Sequence, residues 1–355
     1  MDKALIAMSG GVDSSVAAWL LKERGLDCAG AMMKLYDSGD AEQSGCCSLA
    51  DAEDARAVAF RLDMPFYVFN FTGAFTEQVI DRFAAAYQKG FTPNPCIDCN
   101  RYLKFERFLR RADELGCQHI ATGHYAIITQ DNGRYLLKKG TDDYKDQSYA
   151  LYAMTQNQLA RTLFPLGSLA KSEVRAIAQK QEFINAKKRD SQDICFAPDG
   201  NYAGFIERHT GKPPEKGNFV DVQGNILGQH KGIIHYTVGQ RKGLGLSAGQ
   251  PLYVCDVCPQ SNTVVVGAQE NLYAKTLIAH DINLIAADKL DAALKVKAKI
   301  RYRQQEQPAI ARQLDADTMR IEFEQPQRAI TKGQAVVLYD GDIVIGGGTI
   351  ASVEA

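Results

Sequence analysis

The sequence Ser9-Gly10-Gly11-Val12-Asp13-Ser14-Ser15 joins a short apolar run, Lys3–Met8, to a segment with helical spacing of its apolar residues, Val12–Arg24. A turn of this kind between a strand and a helix presents backbone N–H groups and the positive end of the helix dipole to an anion. The two glycines let the backbone approach that anion closely, and Asp13 is able to hold Mg²⁺ against phosphate oxygens. The string matches neither GxxxxGK[ST] nor GxGxxG, so it predicts a phosphate-binding loop that is neither a Walker A nor a dinucleotide site.

Patterns typical of strands and helices alternate from this loop to about residue 195. Strands separated by helices pair in parallel, so we predict an α/β fold with a doubly wound, mostly parallel sheet. From about residue 210, Gly, Asn and Asp turns separate short β-type runs, and helical periodicity is nearly absent. The sequence therefore predicts three domains: an α/β domain at 1–199, a small mixed β-rich connector at 200–275, and an all-β, barrel-like domain at 276–355.

The composition is that of a globular protein, with 355 residues, 41 Lys and Arg, 42 Asp and Glu, and a formal net charge of −1. This balance argues against a polycationic, histone-like protein, but it leaves room for nucleic-acid binding through a local basic surface. No apolar run approaches the ~18 residues of a membrane span, and the first residues do not resemble a signal peptide. We therefore expect a soluble, cytoplasmic protein with no membrane partner.

Nine cysteines, an odd number in a chain with no predicted secretion signal, favour thiol chemistry or metal binding over a disulfide scaffold. Two segments are candidates: Thr92–Asn100, a proline-braced loop with a CxxC pair, and Asp190–Phe196. The cations of Lys187–Arg189 precede the second segment and favour the thiolate, which is the reactive form. We interpret Cys28 and Cys117 as small buried residues. The remaining cysteines are Cys46 and Cys47 on a polar loop, whose role is ambiguous, and Cys255 and Cys258, which we interpret as incidental strand residues.

Basic side chains alternate with apolar ones between residues 295 and 303. In a strand, alternate side chains point to opposite faces, so all five charges would share one face, with ~6.8 Å between neighbours. That spacing is comparable to the spacing of successive phosphates in RNA, but the pattern is equally typical of a charged edge strand that resists aggregation. The five residues are Lys295, Lys297, Lys299, Arg301 and Arg303.

Six motifs occur in the order found in one enzyme family. They are SGGVDSS (9–15), TPNPCIDCN followed by YLKF (92–105), ATGHY (121–125), KDQSY (145–149), SQDICF (191–196) and GQRKGLG (239–245). Over essentially its whole length, the chain resembles the tRNA-specific 2-thiouridylases of the ATP pyrophosphatase superfamily. The resemblance implies adenylation of the C2 oxygen of the wobble uridine, U34, and its replacement by sulfur from a cysteine persulfide. The expected products are 2-thiouridine, AMP and pyrophosphate.

The resemblance also implies roles for individual residues and partners. Cys99 is the expected nucleophile and Cys195 the expected persulfide carrier, and the two would end the cycle as a disulfide. The expected partners are a tRNA bound through its anticodon arm and an upstream protein that donates the persulfide, with no DNA. The expected ATP contacts are Ala7, Met8, Ser9, Gly10, Gly11, Val12, Asp13, Ser14, Met33 and Gly123; the target-base contacts are Asn94, Pro95 and Cys96; and the tRNA contacts are His124, Lys145, Asp146, Gln147, Arg301, Tyr302 and Gln334.

Alternatives to this interpretation remain open at the level of sequence. Position 96 is Cys where some relatives have Asp, so Cys96, Cys99 and Cys195 are also possible ligands of a [4Fe–4S] cluster. Asp193 stands where a small Gly is common, which makes the geometry of its loop uncertain. A different adenylating ligase of the superfamily, or a non-enzymatic RNA-binding or sulfur-carrier protein, would each explain part of the sequence. We also expect loops 36–47 and 187–200 to become ordered only when tRNA binds.

Overall fold

The computed structural model describes residues 2–36, 48–188, 194–247 and 249–354. They divide into two compact units. The first unit comprises Met1–Val79, Cys96–Gly200 and Asp342–Val344, and the second comprises Ile80–Pro95, Asn201–Gly341 and Ile345–Ala355.

The helices and strands of the described residues are numbered in chain order. The helices are α1 (Val12–Glu23), α2 (Leu49–Arg61), α3 (Thr72–Phe75), α4 (Asp81–Gln88), α5 (Pro95–Asp98), α6 (Phe108–Glu114), α7 (Ser148–Leu151), α8 (Gln156–Ala160), α9 (Lys171–Lys180) and α10 (Tyr202–Thr210), with π-helical segments at Thr76–Ile80 and Cys99–Arg107. The strands are β1 (Lys3–Ala7), β2 (Asp27–Lys34), β3 (Phe66–Asn70), β4 (His119–Ala121), β5 (Ala126–Asp131), β6 (Arg134–Lys139), β7 (Thr162–Leu163), β8 (Gly217–Val220), β9 (Ile226–His230), β10 (Tyr253–Cys258), β11 (Thr263–Gly267), β12 (Tyr273–Leu284), β13 (Leu294–Lys299), β14 (Gln307–Gln313), β15 (Met319–Arg328), β16 (Ala335–Asp340) and β17 (Ile343–Glu354).

A parallel sheet with the strand order β3-β2-β1-β4-β7 forms the centre of the first unit. This confirms the predicted doubly wound α/β fold. The chain leaves β1 for β2 on one side and later returns to β4 on the other, so the winding direction changes at β1. Ligands of such sheets bind at the carboxyl ends of the strands, at the point where the direction changes. The loop Ser9–Ser15 follows β1 directly and therefore lies at this point.

Local signals explain where the first helices begin and end. The turn after α1 contains Gly25, whose φ of +81° is readily adopted only by glycine. Helix α2 begins with a capping box, in which Ser48 Oγ accepts from Asp51 N at 3.1 Å and Asp51 Oδ2 accepts from Ser48 N at 3.0 Å. Cys28 and Cys117 are each 2% exposed, which confirms that they are buried.

The prediction of a proline-braced loop around the CxxC pair is wrong, because the chain is helical from Pro95 onward. Helix α5 begins at Pro95, and the π-helical segment Cys99–Arg107 and α6 continue it. Proline suits the first position of a helix, where its missing N–H would have no intrahelical acceptor in any case. The structure therefore places Cys99 on a regular element rather than on a loop.

Two β structures make up most of the second unit. A small sheet has the strand order β10-β11-β8-β9. Six further strands, in the order β12-β15-β14-β13-β16-β17, close into a barrel because β12 also pairs with β17. The side chains inside the barrel are apolar, among them Leu277, Ile321, Phe323 and Leu338. The structure thus confirms the predicted β-rich connector and the barrel-like C-terminal part. In the described part of the chain, no helix is long and apolar enough to cross a membrane.

Candidate active site

The nucleotide loop is shaped by close backbone packing. Gly10 has a φ of +72°, and a Cβ at this position would collide with the backbone carbonyl of Asp51 at the start of α2. Gly123 approaches from the other direction, since a Cβ there would lie 2.9 Å from the backbone of Asp13 and Ser14. Both positions therefore require glycine, which supports the grouping of Gly10 and Gly123 in one site.

Hydroxyl and amide groups hold the loop in this shape. Ser14 Oγ accepts from Ser9 N at 3.2 Å and donates to Gly11 O at 3.1 Å. Asn185, which is 3% exposed, donates from Nδ2 to Gly10 O and to Ser15 Oγ, both at 2.9 Å. The first N–H groups of α1 have no acceptor within the helix, so they remain a suitable site for phosphate. No local motif marks Asn185 in the sequence.

Asp13 is the centre of a charged cluster. Lys171 Nζ lies 2.7 and 2.8 Å from its two carboxylate oxygens, and Tyr125 donates its hydroxyl to Oδ1 at 2.8 Å. Sequence reasoning missed Lys171, because this lysine stands 158 residues away at the start of α9 and no motif marks it. The loop thus carries a cation in addition to the helix dipole.

The other expected ATP residues lie at the same edge of the sheet. Ala7 ends β1 opposite Ala31 of β2, and Met33 lies near the carboxyl end of β2. Met8 is 1% exposed and belongs to the apolar core of the unit. A contact of Met8 with ATP would therefore involve its backbone rather than its side chain.

The expected reactive cysteines differ in environment. Cys99 is buried at the first position of the π-helical segment, Cys96 is exposed on α5, and Cys195 is half-buried. Phe196, next to Cys195, packs edge-to-face on Phe75 with 5.9 Å between ring centroids. No disulfide joins any two of the seven cysteines that the structure describes.

The structure gives the iron–sulfur alternative no support. Within the described ranges, no group of three His, Cys, Asp or Glu side chains comes together to hold a metal. Cys96, Cys99 and Cys195 are all within those ranges. Three other expectations lie outside them, namely the roles of Cys46 and Cys47, the effect of Asp193, and the ordering of residues 37–47 and 189–193.

Lys188, in the basic segment before Cys195, forms ion pairs with two carboxylates of α2. Lys188 Nζ lies 2.6 Å from both Asp51 Oδ1 and Asp54 Oδ2 at the start of α2. Burial lowers the pKa of Lys188, but its hydrogen bonds to the two carboxylates outweigh that effect and raise it. Lys188 therefore braces the helix behind Gly10, and the effect of the cations at 187–189 on the Cys195 thiolate stays a prediction.

His124, an expected tRNA contact, lies inside the first unit and is 8% exposed. Lys104 Nζ lies 3.4 Å from its Nε2, and Thr122 Oγ1 lies 2.6 Å from its Nδ1. An ammonium group can only donate, so Nε2 accepts and Nδ1–H donates to Thr122. Burial, and to a lesser degree the Lys104 charge, holds the pKa of His124 well below its usual value. The ring is therefore neutral at physiological pH.

The segment expected to contact tRNA at 145–147 divides into two kinds of residue. Asp146 is 9% exposed, and its carboxylate accepts from Gly140 N, Ser148 N and Ser148 Oγ at 3.1, 3.0 and 2.8 Å. Gln147 Oε1 accepts from Tyr125 N at 3.0 Å. Asp146 and Gln147 thus shape the loop, whereas Lys145 is only half-buried.

In the second unit, the predicted basic strand is shorter than expected. It ends at Lys299, and Arg301 turns inward to donate from Nη2 to Val238 O, Ala329 O and Thr331 Oγ1 at 3.2, 3.1 and 2.8 Å. Lys295 and Lys297 are exposed. They lie on a strand that pairs with β14 and β16, so the edge-strand interpretation is wrong.

Two further expected tRNA contacts lie in the same unit. Tyr302 is 36% exposed. Gln334 donates from Nε2 to Thr92 O at 2.7 Å, and Thr92 N donates to Lys332 O at 2.8 Å. These bonds fix the chain two residues before Asn94. The structure thus connects Gln334 to the segment expected to meet the target base.

Three family models cover most of the chain. They are described as a tRNA methyl transferase HUP domain at residues 2–199, a tRNA methyl transferase PRC-barrel domain at 203–268, and an aminomethyltransferase beta-barrel domain at 274–350. A solved 4-thiouridine synthetase–RNA complex with bound ATP aligns at a TM-score of 0.39 and 17% identity, covering 59% of this chain and 50% of that one.

Curated relatives match the chain from end to end. It is 53% identical over 352 residues to tRNA-specific 2-thiouridylase MnmA of Clostridioides difficile, covering 98% of each chain. It is 52% identical to the enzymes of the same name from Lachnoclostridium phytofermentans, covering 99% of each chain, and Acetivibrio thermocellus, covering 98% of this chain and 99% of the relative. Identity near one half over almost the whole of both sequences shows that the chain belongs to the family of tRNA-specific 2-thiouridylases.

Proposed function

We propose that this protein is an ATP-dependent tRNA sulfurtransferase that converts the wobble uridine, U34, to 2-thiouridine and releases AMP and pyrophosphate. The observation that carries the proposal is the identity of 52–53% to 2-thiouridylases over 98–99% of the chain. The phosphate-binding loop after β1 and the cysteines Cys99 and Cys195 supply the two chemical functions that this reaction needs.

The first step is activation of the base by ATP. The C2 oxygen of uridine is a poor leaving group, but the same oxygen leaves readily as part of AMP. Attack of this oxygen on the α-phosphorus breaks the α–β phosphoanhydride bond and releases pyrophosphate. The N–H groups at the start of α1 and the ammonium of Lys171 stabilise the negative charge that moves onto the pyrophosphate.

Asp13 is the residue that fits a magnesium ion. Mg²⁺ uses one or two protein carboxylates together with phosphate oxygens and water. The Asp13 side chain is 30% exposed in the loop and already attracts one cation, Lys171. When bound, Mg²⁺ neutralises phosphate charge, and Asp13 would then share its carboxylate between the metal and Lys171.

The second step is sulfur transfer. The terminal sulfur of a persulfide on Cys195 attacks C2, and AMP leaves with the original oxygen. The Cys99 thiolate then attacks the inner sulfur on Cys195, and the electrons of the broken S–S bond pass to the sulfur on C2. A disulfide between Cys99 and Cys195 results, and an external thiol reduces it. A separate protein supplies the persulfide for the next cycle.

Binding of tRNA completes the proposal. U34 must leave its stack to reach the site, and Asn94, Pro95 and Cys96 at the start of α5 are the residues we assign to the flipped base. We assign catalysis to residues 1–199, and contacts with the anticodon arm to the connector at 200–275 and the barrel at 276–355. Phosphate contacts there position the tRNA without reading its sequence.

A purified-component assay tests the proposal and separates it from methyl transfer, which the descriptions of two family models name. Protein, unmodified tRNA, ATP, Mg²⁺ and a persulfide donor are combined, and thiolated tRNA, AMP and pyrophosphate are measured. We expect the three products in equal amounts, and no methylated tRNA when S-adenosylmethionine replaces ATP. Formation of ADP and phosphate in place of AMP and pyrophosphate would contradict the adenylation step.

Substitution of the cysteines tests the sulfur-transfer step. We expect Cys195→Ser to abolish thiolation while it retains ATP and tRNA binding, because serine cannot carry a persulfide. Cys258→Ser is the matched control, since that half-buried cysteine lies on β10 and has no assigned role. Thiolation that persists undiminished in Cys195→Ser would show that another group carries the sulfur.

A further inference from the structure

Tyr144 is the most exposed large aromatic or apolar side chain among the described residues, with 98% of its surface accessible. Such a ring packs against nothing in the protein and contributes little to the stability of the fold. Single exposed apolar residues are common on protein surfaces and need no explanation by themselves. The backbone that carries Tyr144 distinguishes this ring from the others.

The loop under Tyr144 is braced by hydrogen bonds. Tyr144 N donates to Asp142 Oδ1 at 3.1 Å, and the N–H groups of Lys145 and Asp146 donate to Asp142 O at 3.0 and 2.8 Å. The buried carboxylate of Asp146 closes the loop through its bonds to Gly140 N and Ser148 N. A preorganised loop loses little conformational entropy when its exposed ring meets a ligand.

The same loop is attached to the nucleotide loop. Asp142 Oδ2 accepts from Lys171 N at 2.9 Å, and the Nζ of the same lysine binds the carboxylate of Asp13. One lysine residue therefore connects the backbone that carries Tyr144 to the candidate ATP site. Tyr144 itself stands two residues after Asp142, the residue that makes this connection.

The charges around the ring favour a base over a phosphate. Exposed Asp143 precedes Tyr144 and half-buried Lys145 follows it, so the ring has one neighbour of each sign. Asp146 uses its carboxylate within the loop, and Asp142 accepts from Tyr144 N with one carboxylate oxygen and from Lys171 N with the other. A neutral aromatic face between opposite charges does not attract phosphate strongly, but it stacks on the face of any unpaired base.

We propose that Tyr144 is a stacking platform for an unpaired base of the tRNA substrate, on the ATP side of the site. This inference rests on the proposed function, because it takes tRNA as the substrate. Lys145 adds a positive charge beside the stacked nucleotide. The ring acts through its face and not through its hydroxyl, which sets this contact apart from a hydrogen bond or an ion pair.

Equilibrium binding of unmodified tRNA to the full-length protein at fixed salt tests the inference. We expect Tyr144→Ala to weaken binding about tenfold, as loss of one stacked base does. Tyr144→Phe should bind as the original protein does, since it keeps the ring. The unfolding midpoint and the salt dependence of binding should not change in either variant. In a Tyr144→Trp variant, the new indole fluorescence should be quenched when tRNA is added.

The control is Phe60→Ala, which removes a ring that is 87% exposed near the end of α2. Phe60 lies about 13 Å along the helix from Asp51, which contacts Gly10, so its removal should not affect tRNA binding.

Equal tRNA affinity of Tyr144→Ala and the original protein would overturn the inference, and so would equal weakening by Tyr144→Phe. If Tyr144→Ala leaves tRNA binding unchanged but slows the uptake of sulfur, the ring contacts the protein that donates the persulfide and the inference is wrong. Failure of the original protein to bind any tRNA would contradict the proposed function itself.

Discussion

Gly10 shows how one residue can determine a binding site. Its φ of +72° and its contact with the Asp51 backbone leave no room for a side chain. The peptide N–H groups around it are directed by this tight turn, and any displacement of the turn would change the direction of several of them together. A single methyl group at this position should therefore disturb ATP binding more than it disturbs folding.

We predict that Gly10→Ala lowers ATP-dependent pyrophosphate exchange on the order of a hundredfold, because misplacement of catalytic groups by about 1 Å has effects of that size. Gly25→Ala is the matched control. Gly25 also has a positive φ, of +81°, but no atom lies within 4 Å of a Cβ built there. The control should lose roughly 1–2 kcal/mol of unfolding free energy and keep its exchange activity. Equal exchange rates in the two variants would contradict the role of close packing at Gly10.

Among the single residues of the nucleotide loop, the sequence predicts those that lie within motifs. The motif SGGVDSS marks Gly10 and Asp13, which the structure places in the nucleotide loop, whereas the role of Cys99 stays a prediction. No motif marks Lys171 and Asn185, which reach the same loop from positions more than 150 residues away. Only the folded sheet brings these residues to the loop, so no local sequence pattern could predict them.

Among the elements, α2 forms the support of the nucleotide loop. Its first two turns hold Asp51 and Asp54, which bind Lys188, and its backbone lies against Gly10. Burial alone would raise the pKa of Asp51, but its hydrogen bonds to Lys188 and Ser48 outweigh burial and lower it. The cluster therefore makes the stability of this region depend on pH.

We predict that Asp51→Asn lowers the free energy of unfolding. The difference from the original protein should be constant near neutral pH and should shrink as the pH falls below about 4. The unfolded-state pKa of Asp is about 3.9, and a lower folded-state pKa gives stabilisation that is complete above that value and lost as pH falls through the folded pKa. Urea unfolding of the original protein and the variant between pH 3 and pH 7 measures the difference. Glu53→Gln, which changes an exposed carboxylate on the same helix, is the matched control. A difference that grows on acidification would contradict the assigned sign.

Most elements could be predicted from periodicity, and the exceptions have physical reasons. Two prolines restrict the backbone at 92–100 and favour a braced loop, yet proline also suits the first position of a helix, where Pro95 stands. Basic and apolar residues alternate as far as residue 303, and this pattern predicts a longer strand than the structure has. Three acceptors from distant segments turn Arg301 inward, and a local pattern does not contain that information.

For the whole molecule, a net charge of −1 is compatible with nucleic-acid binding through a local basic surface. Lys295 and Lys297 are exposed on β13, between β14 and β16. Each phosphate contact releases counterions from the RNA, so it contributes to the salt dependence of binding. A nearly neutral protein can in this way bind a polyanion through a few residues.

We predict that the double variant Lys295→Ala, Lys297→Ala binds tRNA more weakly and with a smaller salt dependence. The slope of log affinity against log salt concentration should fall by about one for each lysine. Lys289→Ala is the control, because Lys289 is exposed but already pairs with Asp291 at 2.7 Å. An unchanged slope in the double variant would remove this face of β13 from the RNA contact.

Closure of the barrel joins the two of its strands that are farthest apart in sequence, β12 and β17. Leu277, for example, pairs with Val353. Contacts of such separation form slowly, because a long loop must close before they stabilise anything. Until β17 is in place, β12 and β16 each present an open row of N–H and C=O groups on which other chains can assemble. The yield of native protein should therefore depend on how long those two edges stay open, which is a property of the folding pathway and not of the finished barrel.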